Sequence, residues 1–136
     1  MDSVREAYDE LYCDAMGREG FVLQHVVDAF AAQTADEQTK PMALAFALIG
    51  LCLRVEKQFD GRAIQQIHMQ LAKRSKVWPK IAIPTERGNL SAAHVLSFSA
   101  GAERDGAIDN WCRSVWDAFR DSHETVYGLL RQHEIL

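Results

Sequence analysis

His25 and Asp28 stand three positions apart, a spacing that puts an imidazole and a carboxylate on one helix face and suits a metal ligand with an acidic neighbour. Two side chains do not complete a metal site. The plainer reading is a polar edge beside the apolar stripe Val22, Val26 and Ala29, with Asp28 in a structural hydrogen bond. His123 closes a second stripe formed by Trp111, Cys112, Val115, Trp116 and Phe119, which predicts an imidazole at or near the interior, kept neutral by desolvation. A neutral imidazole binds a metal or donates one hydrogen bond to a carbonyl or carboxylate. A lone interior histidine favours the second role, because it lacks the other ligands. His68 and His94 are weaker candidates on the same grounds.

Cys112 and His123 are eleven residues apart, about 16 Å of rise on one helix, so they form no nucleophile and base pair there. Cys52 is expected to act as a small apolar core residue. The acidic pairs Asp9/Glu10, Asp36/Glu37 and Glu103/Asp105 read as solvated surface. No Gly-x-Gly-x-x-Gly, Walker loop, His-Glu-x-x-His or Gly-x-Ser-x-Gly arrangement occurs. Trp111 and Trp116 point in different directions on a helix. One is free to fill the core while the other meets Trp78 or a partner, although core packing is the commoner role for each.

The chain has 136 residues, 48% hydrophobic and 25% charged, and a formal net charge of −4. That length suits one domain over residues 1–136. The mild negative charge argues against a nucleic-acid binder, which needs a concentrated basic surface; the cluster Lys73, Arg74 and Lys76 reads as a helix end. Three widely spaced cysteines suggest neither a disulfide framework nor a zinc ribbon, and predict reduced thiols in a cytoplasmic protein. The N-terminus lacks the pattern of a secretory signal. The most apolar run, 42–53, is too short to span a bilayer about 30 Å thick, so no membrane segment is expected.

The elements that must position these residues are helices. A capping box at Ser3 and Glu6 predicts a first helix to about Met16, with Tyr8, Leu11, Tyr12 and Ala15 on one face. A second helix is expected over 21–33. A third, central and apolar all round, begins at Pro41 and continues through Phe59. Asp60 caps a fourth helix, whose buried stripe is Ile64, Ile67, His68, Leu71 and Ala72. Residues 77–90, with Trp78, Pro79, Pro84 and Gly88, read as an extended loop over the core, with a short strand at 80–83 as an alternative. Ser91 caps a short helix, and a last helix is expected from near Asp105 to about Gln132. The fold class is therefore all-α: a single irregular bundle of about five to six helices with a Trp- and Pro-containing loop.

Three segments resemble an uncharacterised family of bacterial helical proteins known only as a domain of unknown function. They are 27–33 (Val-Asp-Ala-Phe-Ala-Ala-Gln), 51–56 (Leu-Cys-Leu-Arg-Val-Glu) and 111–119 (Trp-Cys-Arg-Ser-Val-Trp-Asp-Ala-Phe). The stretch 88–95, from Gly88 to His94 and Val95, resembles that family's glycine and helix-start segment. The resemblance runs from about Tyr8 to Leu130. It implies a helical fold and, through a Cys-x-x-Cys start and histidines on several helices, a metal site. This chain departs from that pattern. It has no Cys-x-x-Cys, carries Leu23, Ala47 and Ser122 where histidines recur, and keeps His123, while His25 is offset by two positions.

These features favour a non-enzymatic binding or protein-interaction module for an unknown protein or small ligand, with Trp78, Trp111, Trp116, His25, Asp28 and His123 as contact candidates. A metal-dependent enzyme is the first alternative. It would use a divalent transition metal such as zinc on His25, Asp28, Glu56 and His123, with metal-bound water as nucleophile. A homo-oligomeric scaffold is the second.

Overall fold

The computed structural model describes residues 3–135. Its centre is a mutually packed trio: α2 (Val22–Gln33), α3 (Pro41–Lys57) and α6 (Ala102–Ala118). Around them lie α1 (Ser3–Ala15), α4 (Gly61–Arg74), α5 (Ala92–Leu96) and α7 (His123–Gln132). The described residues contain no strand, so the fold is all-α, with seven helices rather than five or six.

The central place of α3 follows from its sequence. Pro41 sits in its first turn, where a missing N–H costs nothing, and 47–53 is buried without interruption. The helix ends in a Schellman-type turn: Gln58, at φ 59°, donates its N–H to Arg54 O, and Phe59 donates to Leu53 O. Asp60 then caps α4 as expected, accepting from the Ala63 N–H at 2.8 Å. Ile64 and Leu71 of the predicted stripe are fully buried. Gly61 starts α4 directly against the Phe21 carbonyl, which a Cβ at position 61 would overlap. That contact brings Asp60 close to the tight turn Glu19–Phe21 ahead of α2.

The last helix departs from expectation, while the loop reading of 77–90 holds. Tyr12 lies at the solvent edge of the predicted face of α1, its ring edge-on to Tyr8, and Tyr8 stacks on Phe30 with centroids 3.8 Å apart. Residues 80–83 form no strand. The last helix is not continuous: it breaks at the turn Arg120–Ser122, although no glycine or proline marks the place. Packing explains the break. On one straight helix His123 would sit about 10 Å of rise beyond Trp116; instead its ring stacks on the Trp116 indole at 3.7 Å, and its Nε2 lies 2.8 Å from the Trp116 carbonyl.

The buried side chains form one cluster that includes all three tryptophans. The loop between α4 and α5 is stitched to the end of α2. Arg87 donates to the carbonyls of Gln33 and Ala35, and Gln33 Nε2 donates to the carbonyls of Arg87 and Leu90. No helix among the described residues is long and apolar enough to cross a membrane.

Candidate functional site

His25 and Asp28 are both buried on α2, but they serve different neighbourhoods. His25 lines a cavity of about 220 Å³ with Glu19, Arg54, Asp60, Asp105 and Asp109. Its Nδ1 is enclosed and has no hydrogen-bond partner. Burial, with the nearby Arg54 guanidinium, lowers its pKa to about 4, against the weaker pull of Asp109 and Asp60, so the ring is neutral at neutral pH. Asp28 faces α3. Gln24 Nε2 donates to its Oδ1 at 3.0 Å, while Oδ2 lies unpartnered against Gly50. Burial pushes this carboxyl well above the usual range, and the Gln24 hydrogen bond offsets only part of that. No hydrogen bond joins His25 to Asp28.

The opposite wall of the cavity is built by α3 and α6. Arg54 meets Asp109 through two parallel hydrogen bonds of 2.9 Å and also donates to the Phe59 carbonyl at 3.2 Å. This fork separates the His25 cavity from a neighbouring one of about 350 Å³ lined by Val55, Gln58 and Arg113. One turn earlier on α6, Asp105 accepts from Arg18 at 2.7 Å through Oδ2, leaving its Oδ1 enclosed and unpartnered. Asp105 is therefore half-exposed and ion-paired rather than simply solvated. Arg54, Asp105 and Asp109 were missed in the sequence, and the available signal was their spacing. Asp105 and Asp109 share a face of α6 at i, i+4, and Arg54 is the first charge after the apolar run of α3.

Glu56 and His123 belong elsewhere. Glu56 Oε2 accepts from the Trp116 indole N–H at 2.7 Å and from the Tyr127 hydroxyl at 2.5 Å, tying α3, α6 and α7 together. The Glu56 hydrogen bond, with smaller help from burial, raises the Tyr127 pKa. Neither Glu56 nor His123 lines the His25 cavity. The set His25, Asp28, Glu56 and His123 is thus not gathered, and among the described residues no three His, Cys, Asp or Glu side chains are grouped so as to hold a metal ion.

The tryptophans are core anchors rather than an exposed aromatic surface. Trp111 is fully buried and donates to Gln33 Oε1 at 3.0 Å; Trp116 is covered by His123. Trp78 donates to the Ser75 carbonyl at 3.3 Å and packs edge-on against Phe46. His68 is satisfied by the Phe46 carbonyl at 2.8 Å. Burial pushes the Cys52 thiol up to about 12 and the Cys112 thiol higher still, so both stay protonated, while Cys13 is exposed.

No curated protein and no solved structure matches the chain. A family model does, over residues 5–120, and its description is a family of unknown function, DUF5946. The match takes in α1 to α6, including the three segments on α2, α3 and α6 that carry the sequence resemblance and meet at the centre of the fold. The chain belongs to this family of unknown function.

Proposed function

We propose that the chain is a non-enzymatic binding module whose ligand is a small organic cation, an ammonium or a guanidinium, held in the His25 cavity between α2, α3 and α6. One observation carries this reading: His25 Nδ1 and Asp105 Oδ1, both enclosed and without partners, belong to side chains on the walls of a single cavity. Buried polar atoms are nearly always paired, so two orphans on side chains of one cavity wall support a polar ligand there, met once those side chains turn toward it. The sign of the charge follows from the surroundings, where Glu19, Asp60, Asp105 and Asp109 outnumber the Arg54 and Arg18 guanidiniums that pair with Asp109 and Asp105. The volume, about 220 Å³, restricts the ligand to a small molecule.

Binding is favoured over catalysis by the state of the candidate groups. An imidazole with a pKa of about 4 is a weak base at neutral pH, and the buried thiols are not nucleophiles. Three free cysteines, two of them in the core, fit a reducing compartment such as the cytoplasm.

Thermal unfolding in millimolar ethylammonium and methylguanidinium, with sodium chloride at equal ionic strength as control, tests the proposal. A saturable rise in Tm with one of the organic cations, lost in Asp105→Asn, is expected. Equal behaviour in sodium chloride and in both organic cations would contradict it.

A further inference from the structure

None of the nineteen acidic residues of the chain falls between Gly61 and Thr85, whereas Arg62, Lys73, Arg74, Lys76 and Lys80 all do. The fold gathers part of this imbalance onto one surface. Ile64 and Leu71 of α4 are buried and Ile67 packs against the core. The opposite stripe, Arg62, Gln66, Met69 and Lys73, is exposed along about 16 Å of helix rise. Lys76 and Val77 follow directly beyond the helix end, both exposed. Asp60, the nearest carboxylate in sequence, caps the helix and lines the His25 cavity instead.

Two features set this face apart from a solvated helix surface. Its cations are free: among the described residues Arg62, Lys73 and Lys76 enter no ion pair and donate no side-chain hydrogen bond, whereas Arg5, Arg18, Arg54 and Arg104 are each held by an aspartate. Arg62 even stands in the first turn of α4, where the helix dipole opposes a cation, so helix stability does not account for it. Its apolar residues are also presented rather than buried, Met69 at 58% exposure and Val77 at 85%. Val77 sits on a pinned turn: its N–H donates to Ser75 Oγ, the Ser75 hydroxyl donates to the Val77 carbonyl, and the next residue, Trp78, is anchored in the core with its indole donating to the Ser75 carbonyl. An exposed side chain on a fixed turn makes contact with little further ordering.

The same observations select the occupant. Three free cations are too few for the repeated phosphate contacts of a nucleic acid, on a chain whose net charge is −4. A lipid surface takes up the apolar face of a helix, and that of α4 is committed to the core. An acidic protein segment carrying an apolar side chain matches what is left, since carboxylates complement the cations and Met69 adapts to an apolar neighbour. We propose that the outer face of α4 docks an acidic segment of a partner protein, with carboxylates on Arg62, Lys73 and Lys76 and one aliphatic or aromatic side chain against Met69.

Selection of a randomised helical-peptide display library on the intact protein, with the enriched peptide synthesised and titrated by fluorescence anisotropy, tests this. Enrichment of peptides rich in Asp and Glu around an apolar anchor is expected, together with a saturable shift of the Met69 methyl signal in NMR. Binding should weaken roughly tenfold or more in the double variant Arg62→Glu, Lys73→Glu, weaken several-fold in Met69→Ser, and fall as salt rises. These positions are exposed, and thermal unfolding checks that the variants keep the parent's fold. Failure to enrich any peptide, or an enriched peptide that binds both variants as it binds the parent, would overturn the proposal. Binding of phosphatidylserine vesicles or duplex DNA that the double variant loses, with no peptide enriched, would assign the face to a lipid or phosphate surface and overturn it equally. So would a dimer in native mass spectra that the double variant dissolves, which would assign the face to a second copy of the chain.

Discussion

The carboxyl of Asp28 on α2 rests on the bare backbone of Gly50 in α3, and its Oδ2 occupies the space a Cβ at position 50 would fill. The contact joins two features that look unrelated in sequence: a glycine in the middle of the most apolar helix and an acid on a helix face otherwise bound for the core. Gly50→Ala is expected to force Asp28 aside within a closed interior. Although alanine is the better helix former, the variant should lose about 1–3 kcal/mol of stability, the usual cost of overpacking, as read by urea unfolding.

Asp28→Asn keeps the acceptor that Gln24 uses and removes a buried acid. Because the folded-state pKa of Asp28 is raised by burial, its protonated form is the one the fold favours. Stability linked to Asp28 is therefore fully present below the unfolded value near 4 and is lost as pH rises toward the folded value, with a slope of up to about 1.4 kcal/mol per pH unit. Asp28→Asn should be more stable than the parent at pH 7 and the difference should vanish near pH 3, as measured by denaturant midpoints across pH.

His25 acts in the opposite direction. Its pKa falls from 6.5 to about 4 on folding, so its contribution is present above pH 6.5 and lost as pH falls through about 4. The loss is on the order of 3 kcal/mol. In an Asp28→Asn background, His25→Gln should flatten stability between pH 6.5 and 4, and a persistent loss across that window would show that another group is responsible.

Glu56→Ala leaves the indole N–H of the buried Trp116 without its acceptor and frees Tyr127. A cost of about 1–3 kcal/mol is expected, larger than the roughly 1 kcal/mol or less for Tyr127→Phe, which removes a more exposed donor. Chemical denaturation followed by tryptophan fluorescence measures both.

Iodoacetamide should alkylate Cys13 alone in the native protein. Cys52 and Cys112 are buried and hold their protons, so they should react only after unfolding. Mass spectrometry of peptides from native and denatured samples gives the count directly.

Helix positions were legible in the sequence where a local signal exists. Pro41 opens α3, Asp60 caps α4 and Ser91 caps α5, each through chemistry confined to one turn. The break after Ala118 was not legible, because its cause is the stacking of His123 on Trp116 rather than any breaker residue. The site was half legible. His25 was found by residue type and spacing, but its true neighbours Arg54, Asp105 and Asp109 come from other helices, and charged residues near helix ends read as solvated until the tertiary fold pairs them. Asp28 was read as a polar edge with a structural hydrogen bond; the hydrogen bond exists, to Gln24, but the side chain is buried, and its neighbour Gly50 carries no side chain to announce the contact.

The most direct test of the binding reading is the nitrogen NMR spectrum of the His25 imidazole, titrated with methylguanidinium and with ethylammonium at constant ionic strength. The cavity assignment predicts a saturable shift of the His25 ring nitrogens with one of these cations, abolished by Asp105→Asn. Ring nitrogens that stay fixed throughout both titrations would contradict it.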